Sequence, residues 1–374
     1  MRILVLGAVA IPFLISLLAT YVVRQWARRR GFVDHPSGHK RHERPIALGG
    51  GIALVIAICG PILVGTLAIW MLHGSIGASV EAAGSAWLSA LPEIVLVHLD
   101  GIASTLPQVL AIMGCALVLH IVGLFDDRKA LGPGLKLSAQ IGVALFIAGP
   151  MGIRAVEALP APLSIAVTVL WIVLITNAFN FLDNMDGLSA GVATIAAAIF
   201  AVTAMNAGQI FVPVMALVVV GGLSGFLVFN FSPATIFMGD AGSLVVGFLM
   251  SVLTILTTYY QPSMSLTPLS LIVPLVVLAV PLYDVTSVVI HRIRLGESPF
   301  RGDWRHFSHR LVKRGMTSRG AVLTIYLATA ATGLPAILLP RVSWAGAIIL
   351  LLQCLCVVIM IAILEHTEAT VEDV

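Results

Sequence analysis

Five aspartates and two histidines stand out in a chain that carries few charges. Asp126 and Asp127 are adjacent in GLFDDRK, and Asn180, Asp183 and Asp186 recur at three-residue spacing in NAFNFLDNMDGL. Asn230 and Asp240 frame FNFSPATIFMGDAGS, and His306 and His309 stand three apart in RGDWRHFSHRL. Carboxylate and amide oxygens are hard donors, and with no Cys or clustered His ligands beside them they favour magnesium over zinc. Magnesium keeps several waters and takes one or two protein oxygens plus substrate phosphates, so a few scattered Asp and Asn suffice; manganese is the alternative ion. On a continuing helix Asn180, Asp183 and Asp186 would fall roughly on one face. Asp126 and Asp127 would point about 100° apart, which predicts different duties. Any one of these carboxylates could simply cap a helix end or pair with Arg128 or Lys129. Five of them in three loops call for chemistry.

Two further segments suit phosphate. GHKRHERPIALGGGI (38–52) sets His42 among Lys40, Arg41 and Arg44, ahead of glycines that open an apolar run. Free amides at a helix start and a close backbone approach would favour an anion there, while anchoring to anionic lipid is the simpler reading, preferred for Arg28, Arg29 and Arg30. His306 and His309 lie among Arg301, Asp303, Arg305 and Arg310, a composition that fits a clamp for a pyrophosphate or lipid phosphate. Asp284, in PLYDVTSVV, is expected to make a structural polar contact between helices.

The elements that position these groups must cross a membrane. The chain has 374 residues, 59% hydrophobic and 10% charged, with a mean hydropathy of +1.04; a soluble domain is about 25% charged. A span needs about 20 apolar residues, and candidates lie at 3–23, 47–70, 107–125, 135–149, 163–181, 187–206, 210–230, 242–260, 269–290, 319–339 and 343–364. The first lacks the basic cluster in front and the clear small-residue cleavage site behind that mark a signal peptide, so it is kept as a span. With the N-terminus outside, every Lys and Arg except Arg2, Arg154 and Arg341 falls on or beside an inward loop. Segment 71–106, broken by Glu81, Pro92, Glu93, His98 and Asp100, is expected to be an external amphipathic loop. The four cysteines lie in apolar runs and read as small buried hydrophobes. The expectation is an all-α polytopic membrane helical bundle of about eleven transmembrane helices, N-out and C-in, forming one domain over 1–374. Charge bias and motif placement then put every polar cluster on one face.

The ordered motifs resemble the polyprenyl-phosphate N-acetylhexosamine-1-phosphate transferase superfamily (glycosyltransferase family 4), and within it the undecaprenyl-phosphate GlcNAc-1-phosphate transferases. The resemblance covers roughly residues 30 to 320. It rests on HxxPxxxGG (42–50), the Asp126–Asp127 pair with its following basic residues, NxxNFLDNMDGLxxG (177–191), FN followed by FMGDAGS (229–243), PLYD (281–284) and DxxHxxH (303–309). It implies a magnesium-dependent transfer of N-acetylhexosamine-1-phosphate, GlcNAc-1-phosphate foremost, from a UDP-sugar to a membrane polyprenyl phosphate such as undecaprenyl phosphate, with release of UMP. Such a reaction serves cell-envelope polysaccharides, lipopolysaccharide or cell wall. It implies Asp240 as a metal ligand with Asn180 as a second oxygen ligand, and Asp126 and Asp127 as the catalytic acidic pair. Asp183 and Asp186 fall near the uridine and catalytic pocket, Asn230 and Phe237 at the nucleotide, and His306 and His309 at the ends of a His-rich stretch; His42 and Arg301 join the substrate contacts. The setting implied is the inner (plasma) membrane with the site on the cytoplasmic face and no nucleic-acid partner; a homodimer is left open. This chain has HFSH where relatives carry more histidines, and Ala47 where a second proline is common before the glycines. Phospho-MurNAc-pentapeptide transfer is the alternative within the superfamily. A secondary transporter is the rival outside it, but transporters place their polar groups near the midplane within repeats, and no repeat is visible here.

Overall fold

The computed structural model describes residues 2–35, 45–79, 101, 104–259, 265–298 and 306–366, and it is a bundle of helices. In chain order these are α1 (Arg2–Arg30), α2 (Gly50–Ser79), α3 (Leu106–Arg128), α4 (Pro133–Ala148), α5 (Ala161–Leu182), α6 (Leu188–Asn206), α7 (Phe211–Asn230), α8 (Asp240–Leu256), α9 (Val273–Val277), α10 (Ala279–Arg294), α11 (Phe307–Lys313), α12 (Ser318–Ala336) and α13 (Trp344–His366). Each of the eleven expected spans therefore has a helix at its place. Eight of the described helices are long and apolar enough to cross a membrane, and a ninth crossing would be the pair Pro268–Val277 and Ala279–Arg294, bent by 65°. The remaining two, α4 and α8, are apolar but shorter. Of segment 71–106, the structure continues α2 to Ser79 in place of the expected loop, and residues 80–100 lie outside those described.

The bundle is built around α8. Every residue from Ala241 to Thr254 is buried, the behaviour of a helix apolar on all sides. It packs against α2, α3, α5, α6 and α7. In α1 and α13 only 17% of the most apolar stretch is buried, so much of their surface faces lipid, although one side of α1 packs along α7. Cys59, Cys115 and Cys354 are buried as expected, but Cys356 is exposed on α13. A two-stranded antiparallel hairpin, β1 (Val33–Asp34) and β2 (Ile46–Ala47), joins α1 to α2, and Ala47 bridges to Ile236 ahead of α8.

Candidate active site

Four helices, α2, α3, α4 and α5, converge on the first turn of α8. Gly239 precedes it at φ +67°, and the Asp127 carboxylate lies so close that a Cβ there would meet its Oδ2 at 2.5 Å. Asp127, near the end of α3, accepts from the amides of Asp240 (2.8 Å) and Ala241 (3.2 Å). These are amides that a helix start leaves without intrahelical partners, so a carboxylate from another helix caps α8. Two turns earlier on the same face of α3, His120 is buried and its Nδ1 donates to the Ala241 carbonyl at 2.9 Å. The backbones touch: a Cβ on Gly123 would lie 2.4 Å from the Ala241 nitrogen, and one on Gly51 2.4 Å from the Gly242 nitrogen.

The glycines of 49–51 thus hold no anion cradle. Gly50 N donates to the Phe237 carbonyl and Gly51 N to the Met238 carbonyl, both at 3.0 Å, so the amides expected to meet phosphate are spent on the strand leading into α8. Their smallness serves helix-to-helix approach, as small residues do in membrane bundles.

Around the α8 terminus the polar groups interlock. Asn180 Nδ2 donates to Asp240 Oδ1 (3.0 Å) and to Ser243 Oγ (2.9 Å). Lys136 Nζ, on α4, lies 2.8 Å from Asp240 Oδ2 and 3.1 Å from Asp126 Oδ2. The other Asp126 oxygen accepts from Leu131 N at 2.7 Å. Adjacent in sequence, Asp126 and Asp127 do have different surroundings: one closes the α3–α4 turn on Lys136, the other caps α8. Neither pairs with Arg128 or Lys129 in the contacts described.

A cleft of about 1400 Å³ opens beside this turn, lined among others by Arg28, Asp127, Asp183, Asp186, Phe237, Asp240 and His309. Asp183 and Asp186 reach it differently from the single helical face that their spacing suggests. α5 stops at Leu182, with the Asp183 amide returning to the Phe179 and Asn180 carbonyls, and the chain turns through Gly187 at φ +75°. Asp186 then accepts from Ala234 N at 2.9 Å. Asn230 is buried and committed at both ends, accepting from Gly187 N (3.1 Å) and donating to the Ile236 carbonyl (3.0 Å). It joins two loops of the cleft wall and lines the cleft there, beside Phe237. Only one of the histidine pair lines the cleft. His306 stands behind His309, its Nδ1 2.8 Å from Asp284 Oδ2, while Phe307 N donates to Asp284 Oδ1 at 3.0 Å. Asp284 therefore orients the histidine segment, a more specific task than the bundle contact expected of it. His42 and Arg301 lie outside the described residues.

The donor set fits magnesium better than a metal held by protein alone. Among the described residues no three His, Cys, Asp or Glu side chains surround one point. Asp240 lines the cleft and offers the carboxylate that magnesium takes when phosphates and water supply the rest, and the Asn180 amide, which meets Asp240 through its nitrogen, would give a second oxygen on turning over.

Burial, together with the Asp240, Asp127 and Asp186 carboxylates, pushes Asp183 well above the usual carboxylate range. A group whose folded-state pKa is raised stabilises the fold at pH below its unfolded value, and that contribution is lost as pH rises toward the folded value. With divalent cations chelated, Asp183→Asn is therefore expected to stabilise the protein where the wild-type group is ionised, raising its Tm there. The gain should shrink toward about pH 4, near the ordinary carboxyl pKa. Thermal unfolding of both proteins in detergent with EDTA across this range checks it; an equal shift at every pH would contradict it.

Several residues of the site carry weak sequence signals. Lys136 counts only as one more inward charge, although a lysine one turn into an apolar helix is unusual. His120 lies inside a span with no partner nearby in sequence. Asn184, which accepts from Ser308 Oγ at 2.7 Å, is hidden among the carboxylates.

Residues 109–258, which include Asp127, Asp183, Asp186 and Asp240 of the cleft, match the model of glycosyl transferase family 4. The chain is similar to the "Probable undecaprenyl-phosphate N-acetylglucosaminyl 1-phosphate transferase" of Bacillus subtilis, 33% identical over 85% of this chain and 81% of the relative. It is also similar to the decaprenyl-phosphate N-acetylglucosaminephosphotransferase of Mycobacterium tuberculosis, 31% identical over 84% and 77%. The undecaprenyl-phosphate alpha-N-acetylglucosaminyl 1-phosphate transferase of Escherichia coli K12 is 26% identical over 85% and 79%.

Proposed function

The chain belongs to glycosyl transferase family 4, and from that premise we propose that it transfers GlcNAc-1-phosphate from UDP-GlcNAc to a membrane polyprenyl phosphate, releasing UMP. The observation that carries this reading is the meeting of Asp127, Asp183, Asp240 and His309, drawn from separate stretches of the chain, around one cleft at the end of a multi-pass bundle. The bias of Lys and Arg supports a cytoplasmic opening in the plasma membrane, the side where a nucleotide sugar would be met. Polar groups gathered at helix ends favour this chemistry over transport.

The nucleophile is a phosphate monoester with a second pKa of about 6, largely dianionic at neutral pH. Its oxygen attacks the β-phosphorus of the UDP-sugar, a P–O bond forms, and the bond to the UMP oxygen breaks. No proton need be removed, which agrees with Asp126 and Asp127 having their oxygens engaged in the α3–α4 turn and the α8 cap. We read both as positioning groups in this reaction. The difficulty to be overcome is anion meeting anion. Asp240 and Asn180 would hold magnesium, which supplies charge screening and stabilises the departing phosphate. Lys136 adds a fixed positive charge beside Asp240, Arg28 and His309 line the cleft where further phosphate oxygens would lie, and Phe237 offers a ring beside it for the uracil.

Purified protein given UDP-GlcNAc, undecaprenyl phosphate and magnesium is expected to release UMP, to stop on chelation and to resume when magnesium or manganese is restored. Release only from UDP-MurNAc-pentapeptide would reassign the sugar, and turnover unchanged by EDTA would remove the metal.

A further inference from the structure

The last helix is almost wholly lipid-facing, yet it ends in a buried carboxylate. Glu365 is the single acidic residue of α13, and its side chain is 2% exposed. A charge in such a place is costly unless paired. Its Oε2 accepts from Arg310 Nη2 (2.7 Å) and Nε (3.1 Å), and its Oε1 accepts from the Tyr283 hydroxyl (2.6 Å). Arg310 Nη2 also donates to Ser287 Oγ at 3.0 Å. Arg310 is the residue after His309.

α11, which carries His309, has seven residues, too few to hold its own shape. It is fixed from outside at three points. Asp284 takes its first amide and the His306 ring. Ser308 reaches Asn184 in the carboxylate turn at 2.7 Å. Glu365 takes Arg310, and through Tyr283, whose ring meets Phe307 edge-on at 5.9 Å, it braces the same segment from α10. His309 lies between the second point and the third. We propose that Glu365 is a positioning residue for the reaction: a clasp from the C-terminal helix that sets where His309 stands in the cleft.

The inference rests on His309 contacting substrate phosphate, so the experiment includes that residue. UMP release kinetics and thermal unfolding are measured on full-length purified protein. Glu365→Ala is expected to lower kcat at least tenfold while KM for UDP-GlcNAc stays within twofold, the pattern of a contact realised in the transition state. Glu365→Gln, which keeps an acceptor for Tyr283, should fall between. Because the pair acts as a unit, Glu365→Ala with Arg310→Ala should be no slower than the slower single variant. Gln353→Ala is the control: Gln353 anchors the same helix to the Ala331 carbonyl at 3.0 Å, and its loss should lower Tm while leaving kcat unchanged. The proposal is overturned if Glu365→Ala keeps kcat within twofold of wild type, or if Gln353→Ala at an equal loss of Tm loses as much kcat. Normal kinetics for His309→Ala would overturn the reading of the site and the clasp with it. An impaired His309→Ala beside an unimpaired Glu365→Ala would remove the clasp alone.

Discussion

Replacing Asp240 by alanine is expected to slow UMP release by about a hundredfold to a thousandfold, the scale seen when a principal electrostatic group is removed from a transition state. Asp240 begins α8, where the helix dipole favours an anion. Asn180 and Lys136 hold its two oxygens in place. The alternative is that Asp240 serves only to neutralise Lys136. In that case Asp240→Asn combined with Lys136→Met would recover turnover, whereas a metal ligand leaves the double variant inactive. A thiol separates the cases further. Asp240→Cys should be silent with magnesium and partly active with a softer ion such as cadmium, because thiolate prefers soft metals. A near-normal rate for purified Asp240→Ala would refute the ligand role.

The second large effect comes from a residue with no functional group. Gly123→Ala would place a methyl 2.4 Å from the Ala241 nitrogen and 2.5 Å from the Asp240 carbonyl carbon. These are backbone atoms that cannot swing aside, so the first turn of α8 must move. Overpacking of this kind costs about 1–3 kcal/mol. The larger consequence is kinetic: displacing Asp240 and its Asp127 cap by about 1 Å should cost on the order of a hundredfold in kcat. Gly114→Ala on the same helix is the internal comparison, since nothing lies within 4 Å of a Cβ there, and it should be neutral in rate and stability. Equal behaviour of the two variants would show that the close approach is not what places Asp240.

The bundle and its polar end were legible because both depend on local pattern. Twenty-residue apolar runs announce spans by length alone, and five aspartates in a chain so poor in charge announce a site. What stayed hidden depends on partners far apart in sequence. The Gly49–Gly51 run has the composition of a phosphate loop, but the amides of Gly50 and Gly51 find the carbonyls of Phe237 and Met238, a pairing that only the fold creates. The i, i+3, i+6 spacing of Asn180, Asp183 and Asp186 suggested one continuing helix, and the Asp-Asn-Gly content of the turn ended that helix at Leu182 instead. His306 and His309 were treated as equals because sequence gives them equal neighbours; Asp284, 22 positions away, takes one and leaves the other to the cleft. Glu365 gave no signal, because a lone carboxylate at the end of a terminal span reads as an interfacial residue until Arg310 is placed beside it.

The burial of α8 also bears on how freely the protein can drift. On α1 and α13 a leucine can become isoleucine or valine with little cost, since lipid accommodates any apolar shape. Around α8 every side chain from Ala241 to Thr254 meets protein, and there even a single methylene is felt. A saturation scan would therefore find α8 the least tolerant of the membrane helices, with the intolerance running well beyond the end that carries Asp240.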